Sequence, residues 1–304
     1  MPSANVSVTV PVGQAIERVK LMLFRPFKLD KWFIIGFCAW LAHLGEAGYN
    51  FNTGGSGSHH DGRSVHDAFV HARAYVMDNL AWIVPLAIAL VILGIAVGVV
   101  LLWVSSRGKF MFLHCVALDK AEISEPWHKF ARQGQSLFLF RLVLGLIGAI
   151  PMLPLLVVAV VMVFKMFERG KPDVAGVLAV VGVVVVMVVV GSVLFVIAKL
   201  TKDFVVPIMF LRGNRCLEGW SEFQGLISAN VANFVLYLLF QIVLAMAIGA
   251  LVLVVIIVTC CIAGCVLIIP YLGTVLLLPV LMFKRAYSLH YLAQYGRQYD
   301  VFAG

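Results

Sequence analysis

Residues 174–198 read VAGVLAVVGVVVVMVVVGSVLFVIA, an unbroken run of 25 residues without a charged side chain. An α-helix rises 1.5 Å per residue, so a helix of this length extends about 37 Å, and the hydrocarbon core of a bilayer is about 30 Å thick. The run therefore predicts a helix that spans a membrane.

The rest of the chain has the same character. Of its 304 residues, 62% are apolar and 12% are charged, and the mean hydropathy is +1.01. A soluble domain is about half apolar and about one quarter charged. This composition excludes an ordinary soluble enzyme, a disordered chain and a disulfide scaffold. It predicts an all-α polytopic membrane protein that forms one integral membrane domain over 1–304.

Five further apolar runs have a length comparable to the first. Together they predict six spans, at 32–49, 80–103, 137–164, 174–198, 234–258 and 263–283. No small-residue cleavage site follows the earliest run, so we expect it to remain as an anchor. The segments on one side of these spans hold 18 Lys and Arg residues, and those on the other side hold 5. This asymmetry predicts that both termini lie in the cytoplasm.

Short amphipathic segments precede the first, third and fifth spans. In a helix over 127–138, apolar side chains fall on one side and basic side chains on the other. Such helices lie in the membrane surface, with the basic side towards anionic lipid. The residues expected to contact lipid are Trp127, Phe130, Lys129, Arg132, Trp220, Phe223 and Arg18. The alternative is a loop helix that packs on the protein.

The same segments suggest an internal repeat. Trp127 and Phe130 have the spacing of Trp220 and Phe223, and both pairs follow a span with an aromatic extension. The pattern predicts three two-span repeats about the membrane normal. Their bounds are 12–118, 122–212 and 217–292. Chance similarity between loops under the same interfacial constraints is the alternative.

Four short motifs carry a resemblance to a known family. They are Arg-Pro-Phe at 25–27, Ser-Arg-Gly-Lys-Phe at 106–110, Glu-Pro-Trp at 125–127 and Asp-Phe-Val-Val-Pro at 203–207. Together they resemble a bacterial family of six-span membrane proteins of unknown function, similar to the membrane domain fused to some glycerophosphoryl diester phosphodiesterases. The resemblance implies a six-span membrane fold. It implies no activity, because this chain has no phosphodiesterase domain and the family supplies no catalytic motif to transfer.

Two groups of polar residues are candidate sites. His66, Asp67 and His71 lie in the polar outer loop predicted over 50–79 and are weak metal candidates, because their spacing matches no recognised motif. We expect a solvated loop there, and no cofactor. His43 and Glu46, at the outer end of the first span, can pair as a polar site. The alternative is an interfacial pair that marks the end of a short span.

No nucleophile, acid–base pair or metal motif lies at a consistent depth in the predicted spans, so no catalytic residue is expected. The sequence predicts a non-enzymatic membrane protein that organises lipid or a membrane partner through basic surface helices. The alternative is a transporter or channel with a path between the repeat units. The formal charge of +8 is ascribed to attraction by anionic membrane lipids, so no nucleic acid partner is expected. The sequence identifies no protein partner.

Overall fold

The computed structural model describes residues 6–25, 27–44, 79–168, 174–259, 264, 266–267 and 269–302. These residues form helices and connecting turns, and no strand occurs among them. The helices are α1 Val10–Val19 with a π-helical continuation Lys20–Phe24, α2 Leu29–His43, α3 Leu80–Leu118, α4 Ser124–Lys129, α5 Ala131–Glu168, α6 Val174–Leu200 with a π-helical turn Thr201–Val205, α7 Val206–Arg212, α8 Cys216–Ala229, α9 Val231–Val258, α10 Pro270–Leu276, α11 Leu278–Ala293 and a final 3-10 turn Arg297–Tyr299.

Four helical segments are long and apolar enough to cross a membrane. They are Ala81–Leu118, Ala131–Met166, Val174–Arg212 and Val231–Val258. They correspond to the second, third, fourth and fifth predicted spans. The prediction of an all-helical chain with membrane-spanning helices is confirmed in this form, for the part of the chain that the structure describes.

The first and last predicted spans differ from this. Helix α2 has 15 residues, which is about 22 Å and shorter than the hydrocarbon core; residues 45–49 of that span lie outside the described residues. The last predicted span is divided at Leu277 between α10 and α11. Each of these two helices has a proline in its first turn, Pro270 and Pro279, where the missing N–H is not needed.

The molecule has two halves of opposite character. The apolar half consists of 81–104 in α3, 142–164 in α5, 174–198 in α6 and 242–258 in α9. These ranges contain no charged residue, and Gly148 is the single buried residue within them. The basal half consists of 6–25, 27–44, 105–141, 199–241 and 269–302, and it contains the buried residues of the hydrophobic core. The same long helices therefore run from a buried environment into an exposed one.

Helix α2 packs against the basal part of α3, beyond its apolar range. Ser105 Oγ donates to Ala42 O at 3.0 Å, and Lys31 Nζ lies 2.7 Å from an Asp119 oxygen. A Cβ atom at Gly108 would come within 2.6 Å of Ala42 N, so glycine permits the close approach of the two helices. The described part of the first predicted span thus lies in the basal half.

Two stacked phenylalanine pairs occupy similar places in the core. Phe110 of α3 stacks on Phe130, which follows α4, with ring centroids 5.9 Å apart and planes 15° apart. Phe204, in the turn after α6, stacks on Phe223 of α8 at 5.3 Å and 12°. In both pairs, a residue just beyond an apolar range contacts the short helical segment that follows.

The segment before α1 is fastened to α11 near the other end of the chain. Ser7 N donates to Gln294 Oε1 at 2.9 Å, and Gln294 Nε2 donates to Ser7 O at 3.0 Å. Tyr287 OH donates to Val8 O at 3.1 Å. This terminal clasp, formed by these four residues, joins two regions of the basal half that are distant in the sequence.

Candidate functional site: a basic collar between the two halves

Seven basic side chains lie where the apolar helices enter the basal half. We call them the basic collar: Arg107, Lys109, Arg141, Lys199, Lys202, Lys284 and Arg285. The members on α3, on α5 and on the continuation of α6 lie within five residues of the charge-free ranges. Those on α11 are placed beside them by the contact of Arg285 with Lys202 O. The fold therefore gathers bases from separate helices at one level.

On the α3–α5 side of the collar, Arg141 is held by two hydroxyl groups. Its Nη1 donates to Ser105 Oγ and to Ser106 Oγ, each at 3.2 Å. Both serines follow the apolar range of α3 directly. These hydrogen bonds hold a cation beside the point where α3 becomes buried.

Arg107 lies over aromatic rings in the same part of the collar. Its guanidinium carbon is 4.5 Å from a ring centroid of Trp103 and 5.1 Å from that of Trp127. The negative face of an indole ring attracts a cation, by about 0.5–1 kcal/mol at an exposed site. Trp127, predicted to contact lipid, is half-buried and forms one side of this arrangement.

On the α6–α9 side, Asp203 connects the collar to a chain of buried polar groups. One oxygen of its carboxylate lies 2.7 Å from Lys199 Nζ and accepts a hydrogen bond from Tyr237 OH at 3.0 Å. Gln241 Nε2 donates to the same hydroxyl at 2.9 Å. Each buried polar atom of this chain that is named here has a hydrogen-bond partner, as a low-dielectric site requires.

His43 lies in the collar, where it contacts Lys202. Its Nδ1 is 2.7 Å from Ala39 O and its Nε2 is 3.2 Å from Lys202 Nζ. A carbonyl only accepts and an ammonium only donates, so the imidazole is neutral with its proton on Nδ1. The prediction that His43 lies at the opposite side of the membrane from the segment containing Lys202 is wrong, because the two side chains touch. Glu46 lies outside the described residues.

Arg285 is the most deeply buried cation of the collar, with 6% of its surface exposed. Its Nη1 donates to Lys202 O at 2.6 Å, while Nε and Nη2 are buried without a hydrogen-bond partner. Burial lowers the pKa of Arg285 to about 10, and the Asp203 carboxylate opposes that shift. The guanidinium therefore stays charged at neutral pH.

The predicted surface helix over 127–138 is not one helix. Helix α4 ends at Lys129, α5 begins at Ala131, and Phe130 lies between them with 7% of its surface exposed. Phe223 is fully buried in the same way. Both rings therefore contact protein rather than lipid, because each stacks on a phenylalanine of a neighbouring helix. Lys129 and Arg132 are exposed, as the prediction requires.

Two other predicted lipid contacts also face protein in part. Trp220 is half-buried, with its ring centroid 6.0 Å from that of Phe140. Arg18 Nη2 donates to Val116 O at 3.1 Å and to Ala117 O at 2.8 Å. These carbonyls belong to the last turn of α3, where a cation satisfies acceptors that have no helical partner.

The weak metal candidates His66, Asp67 and His71 lie outside the described residues. Among the residues that the structure does describe, no group of three or more His, Cys, Asp or Glu side chains is placed to hold a metal ion.

The sequence did not single out Arg285 or Lys199 among the 18 basic residues of one side, and it used Asp203 only as part of the family motif at 203–207. A signal for the site was present: a charged residue stands within a turn of a long apolar run, beside an aromatic residue, at Lys202-Asp203-Phe204 and at Lys284-Arg285-Ala286-Tyr287. What the spacing alone did not supply was the contact between these two segments.

A model of a protein family of unknown function, DUF7544, matches residues 7–293. The chain belongs to this family. The match covers the collar and every long helix, so these features lie within the family's domain. No curated protein and no solved structure matches the chain. The match agrees with the expected membership of an uncharacterised family, and it shows no link to glycerophosphoryl diester phosphodiesterases.

Proposed function

We propose that this protein is a non-enzymatic bacterial inner-membrane protein that gathers anionic lipids around its basic collar. The observation that carries the proposal is the position of the seven bases: they lie where charge-free exposed helices meet a compact polar base. In a bilayer this is the level of the headgroups, where each Lys or Arg contributes about 1 kcal/mol of attraction to an anionic surface.

The electrostatics of α11 support a strongly positive collar. Lys284 is an exposed member of the collar, and partial desolvation together with the charges of Lys199 and Lys202 lowers its pKa. Repulsion between cations of this kind is relieved by an anion. Among the described residues, Asp203 forms a salt bridge with Lys199 of the collar. Lipid phosphates are the anions available at this level in a membrane.

The orientation follows from the predicted topology. The four described spanning helices and the six predicted spans are both even numbers, so either places both termini on the same side. The basal half contains most of the basic residues, and we infer that it faces the cytoplasm. A cysteine introduced at exposed Ser221, in a chain with its natural cysteines replaced, is then labelled only after the inner membrane is opened. Labelling from outside in intact cells contradicts this orientation.

The repeat over 12–118, 122–212 and 217–292 is supported by the similar stacking of Phe110 on Phe130 and of Phe204 on Phe223. In the third unit, α11 instead joins the segment before α1 through the hydrogen bond from Tyr287 OH to Val8 O. We infer three related units arranged in a ring. The transporter alternative predicts polar groups along the apolar half, and the four ranges of that half contain no charged residue.

The test measures which lipids surround the protein. Full-length protein in bilayers of phosphatidylcholine and phosphatidylglycerol is studied by spin-labelled lipid spectroscopy, which gives the relative affinity of each lipid for the protein boundary. We expect the anionic lipid to be preferred. The double variant Arg107→Gln/Lys284→Gln lowers that preference, because it removes two charges from opposite sides of the collar.

The matched control is Lys120→Gln/Arg297→Gln, which removes two charges from exposed basal positions outside the collar. It should leave the preference unchanged. An equal loss in both double variants would attribute the preference to net charge and reject the collar. No preference in the natural protein would reject the proposed function.

A further inference from the structure

The unpartnered atoms of Arg285 form one binding edge. In arginine, Nε and Nη2 lie on the same side of the planar guanidinium, so their N–H groups point in nearly the same direction. This is the fork that binds two oxygens of one carboxylate or phosphate. In the structure Nη1 is occupied by Lys202 O, whereas both atoms of the fork are buried and lack a hydrogen-bond partner.

A buried charge with two unsatisfied donors is costly. Buried cations in proteins are normally paired. A buried donor without a hydrogen-bond partner destabilises the fold by the full free energy of its lost hydration. No described carboxylate forms a salt bridge with Arg285. The nearest described acid along the chain of contacts, Asp203, binds Lys199 and Tyr237 through one oxygen. The fork thus has the chemistry of an anion site.

The site borders the apolar half, where lipid chains would lie. Lys284, next to Arg285, is exposed, and the side chain of Lys199 is 25% exposed. One turn away from Lys199 on the same helix, in the apolar half, Phe195 of α6 is 65% exposed. An anionic group held at Arg285 would therefore have lysine side chains at its rim and apolar helix surface beside it.

We infer that the Arg285 fork binds one phosphate group, with Lys199 and Lys284 at its rim; this rests on the proposed function in taking that phosphate from the headgroup of a membrane phospholipid. Inorganic phosphate offers the same pair of oxygens and is the other source of this chemistry. Two phosphate oxygens accept from Nε and Nη2. The rim lysines have flexible stems and move as the phosphate enters.

The test counts bound phosphate in the full-length protein. Protein purified in a phosphorus-free detergent is titrated separately with phosphatidylglycerol, phosphatidylcholine and inorganic phosphate, and binding is followed by native mass spectrometry and phosphorus resonance. We expect saturation at one high-affinity phospholipid. Saturation by inorganic phosphate with the same dependence on Arg285 identifies free phosphate as the source. Absence of any saturable site in the natural protein overturns the inference.

Two variants at Arg285 separate the fork from the charge. Arg285→Lys keeps the charge and removes the fork, and we expect at least tenfold weaker binding of the single phosphate. Arg285→Gln removes both, and if it does not fold, the lysine variant carries the test. Arg297→Gln, an exposed arginine of the basal half, is the matched control and should bind like the natural protein. Unchanged affinity in Arg285→Lys overturns the inference.

The same variant distinguishes this inference from the collar proposal. Arg285→Lys preserves the net charge, so the general preference for anionic boundary lipid should remain while the single tight site is lost. A natural protein that binds one phosphate but shows no boundary preference would reject the collar and keep the site. A natural protein that shows the boundary preference but binds no single phosphate would reject the site and keep the collar.

Discussion

The basal and apolar halves are built from the same helices but differ in what covers them. In α6, Phe195 is 65% exposed, and in the turn that continues the same helix Phe204 is fully buried among aromatic rings. Both residues are phenylalanines, so the side chain does not decide the environment. The difference teaches that burial here is set by the short helices, α1, α2, α4, α7, α8 and α11, which pack only around the basal ends of the long ones.

The largest expected effect comes from removing a basal aromatic ring. Phe204→Ala deletes a ring that stacks on Phe223 and meets Phe234 and Tyr237 edge-on. Such a truncation in a packed core lowers the free energy of unfolding by about 3–5 kcal/mol. Thermal unfolding of the protein in detergent measures the change.

Phe195→Ala is the matched control, because it makes the same deletion in the apolar half of the same helix. An exposed site of this kind changes stability by about 0.5 kcal/mol or less. If both variants lose equal stability, the apolar half has protein neighbours and the contrast between the halves is wrong.

A smaller effect is expected at the glycines of α3. Gly108→Ala places a Cβ within 2.6 Å of the Ala42 backbone, whereas a Cβ at Gly98 meets no atom within 4 Å. Overpacking at Gly108 should lower the free energy of unfolding by about 1–3 kcal/mol, because the backbone of α2 must shift. Gly98→Ala should be neutral or stabilising, since alanine favours helix over glycine. Unfolding of the two single variants under the same conditions gives the comparison, and a harmless Gly108→Ala would place α2 elsewhere.

The smallest effect concerns pH and the C-terminal end of the basal half. His290 stacks on Phe302 at 4.4 Å, and burial, together with the Arg18 charge, lowers the pKa of His290 from its ordinary value of 6.5. Below that pH the unfolded chain binds a proton that the folded chain resists. The free energy of unfolding therefore falls as pH falls through 6.5, with a slope of at most about 1.4 kcal/mol per pH unit for one proton.

His290→Phe keeps a stacking ring and removes the proton, so this part of the slope should disappear between pH 7 and pH 5. His128→Gln, at an exposed position of α4, should leave the slope as it is. A slope that persists in His290→Phe assigns the pH dependence to other groups.

The four long helices could be predicted from the sequence because charge-free apolar runs long enough to cross the hydrocarbon core are typical of membrane spans. The first and last predicted spans stay predictions, because each includes residues outside the described part of the chain. Helix α2 is also apolar, and hydropathy does not distinguish a helix covered by protein from one covered by lipid. The contacts that place α2 on α3, such as those of Ser105 with Ala42 and of Gly108 with α2, join residues more than 60 positions apart.

The sequence indicated part of the basic collar. Lys199, Lys202 and Lys284 belong to the 18 basic residues whose excess on one side predicted the orientation. The burial of Arg285 could not be predicted from the sequence, because its Nη1 donates to the backbone carbonyl of Lys202, which belongs to another helix. The aromatic residues of the short segments were predicted to contact lipid, whereas Phe130 and Phe223 are buried because each stacks on a ring of a neighbouring segment.

The terminal clasp has a consequence for how the chain is made. Ser7 and Gln294 are 287 residues apart, so a ribosome must add α11 before this pair can form. Until then, α1 has no α11 to cover its Ala15 and Val19, which are buried in the finished fold. A nascent chain that stops before α11 therefore displays an uncovered apolar helix face, the kind of surface that chaperones and proteases recognise.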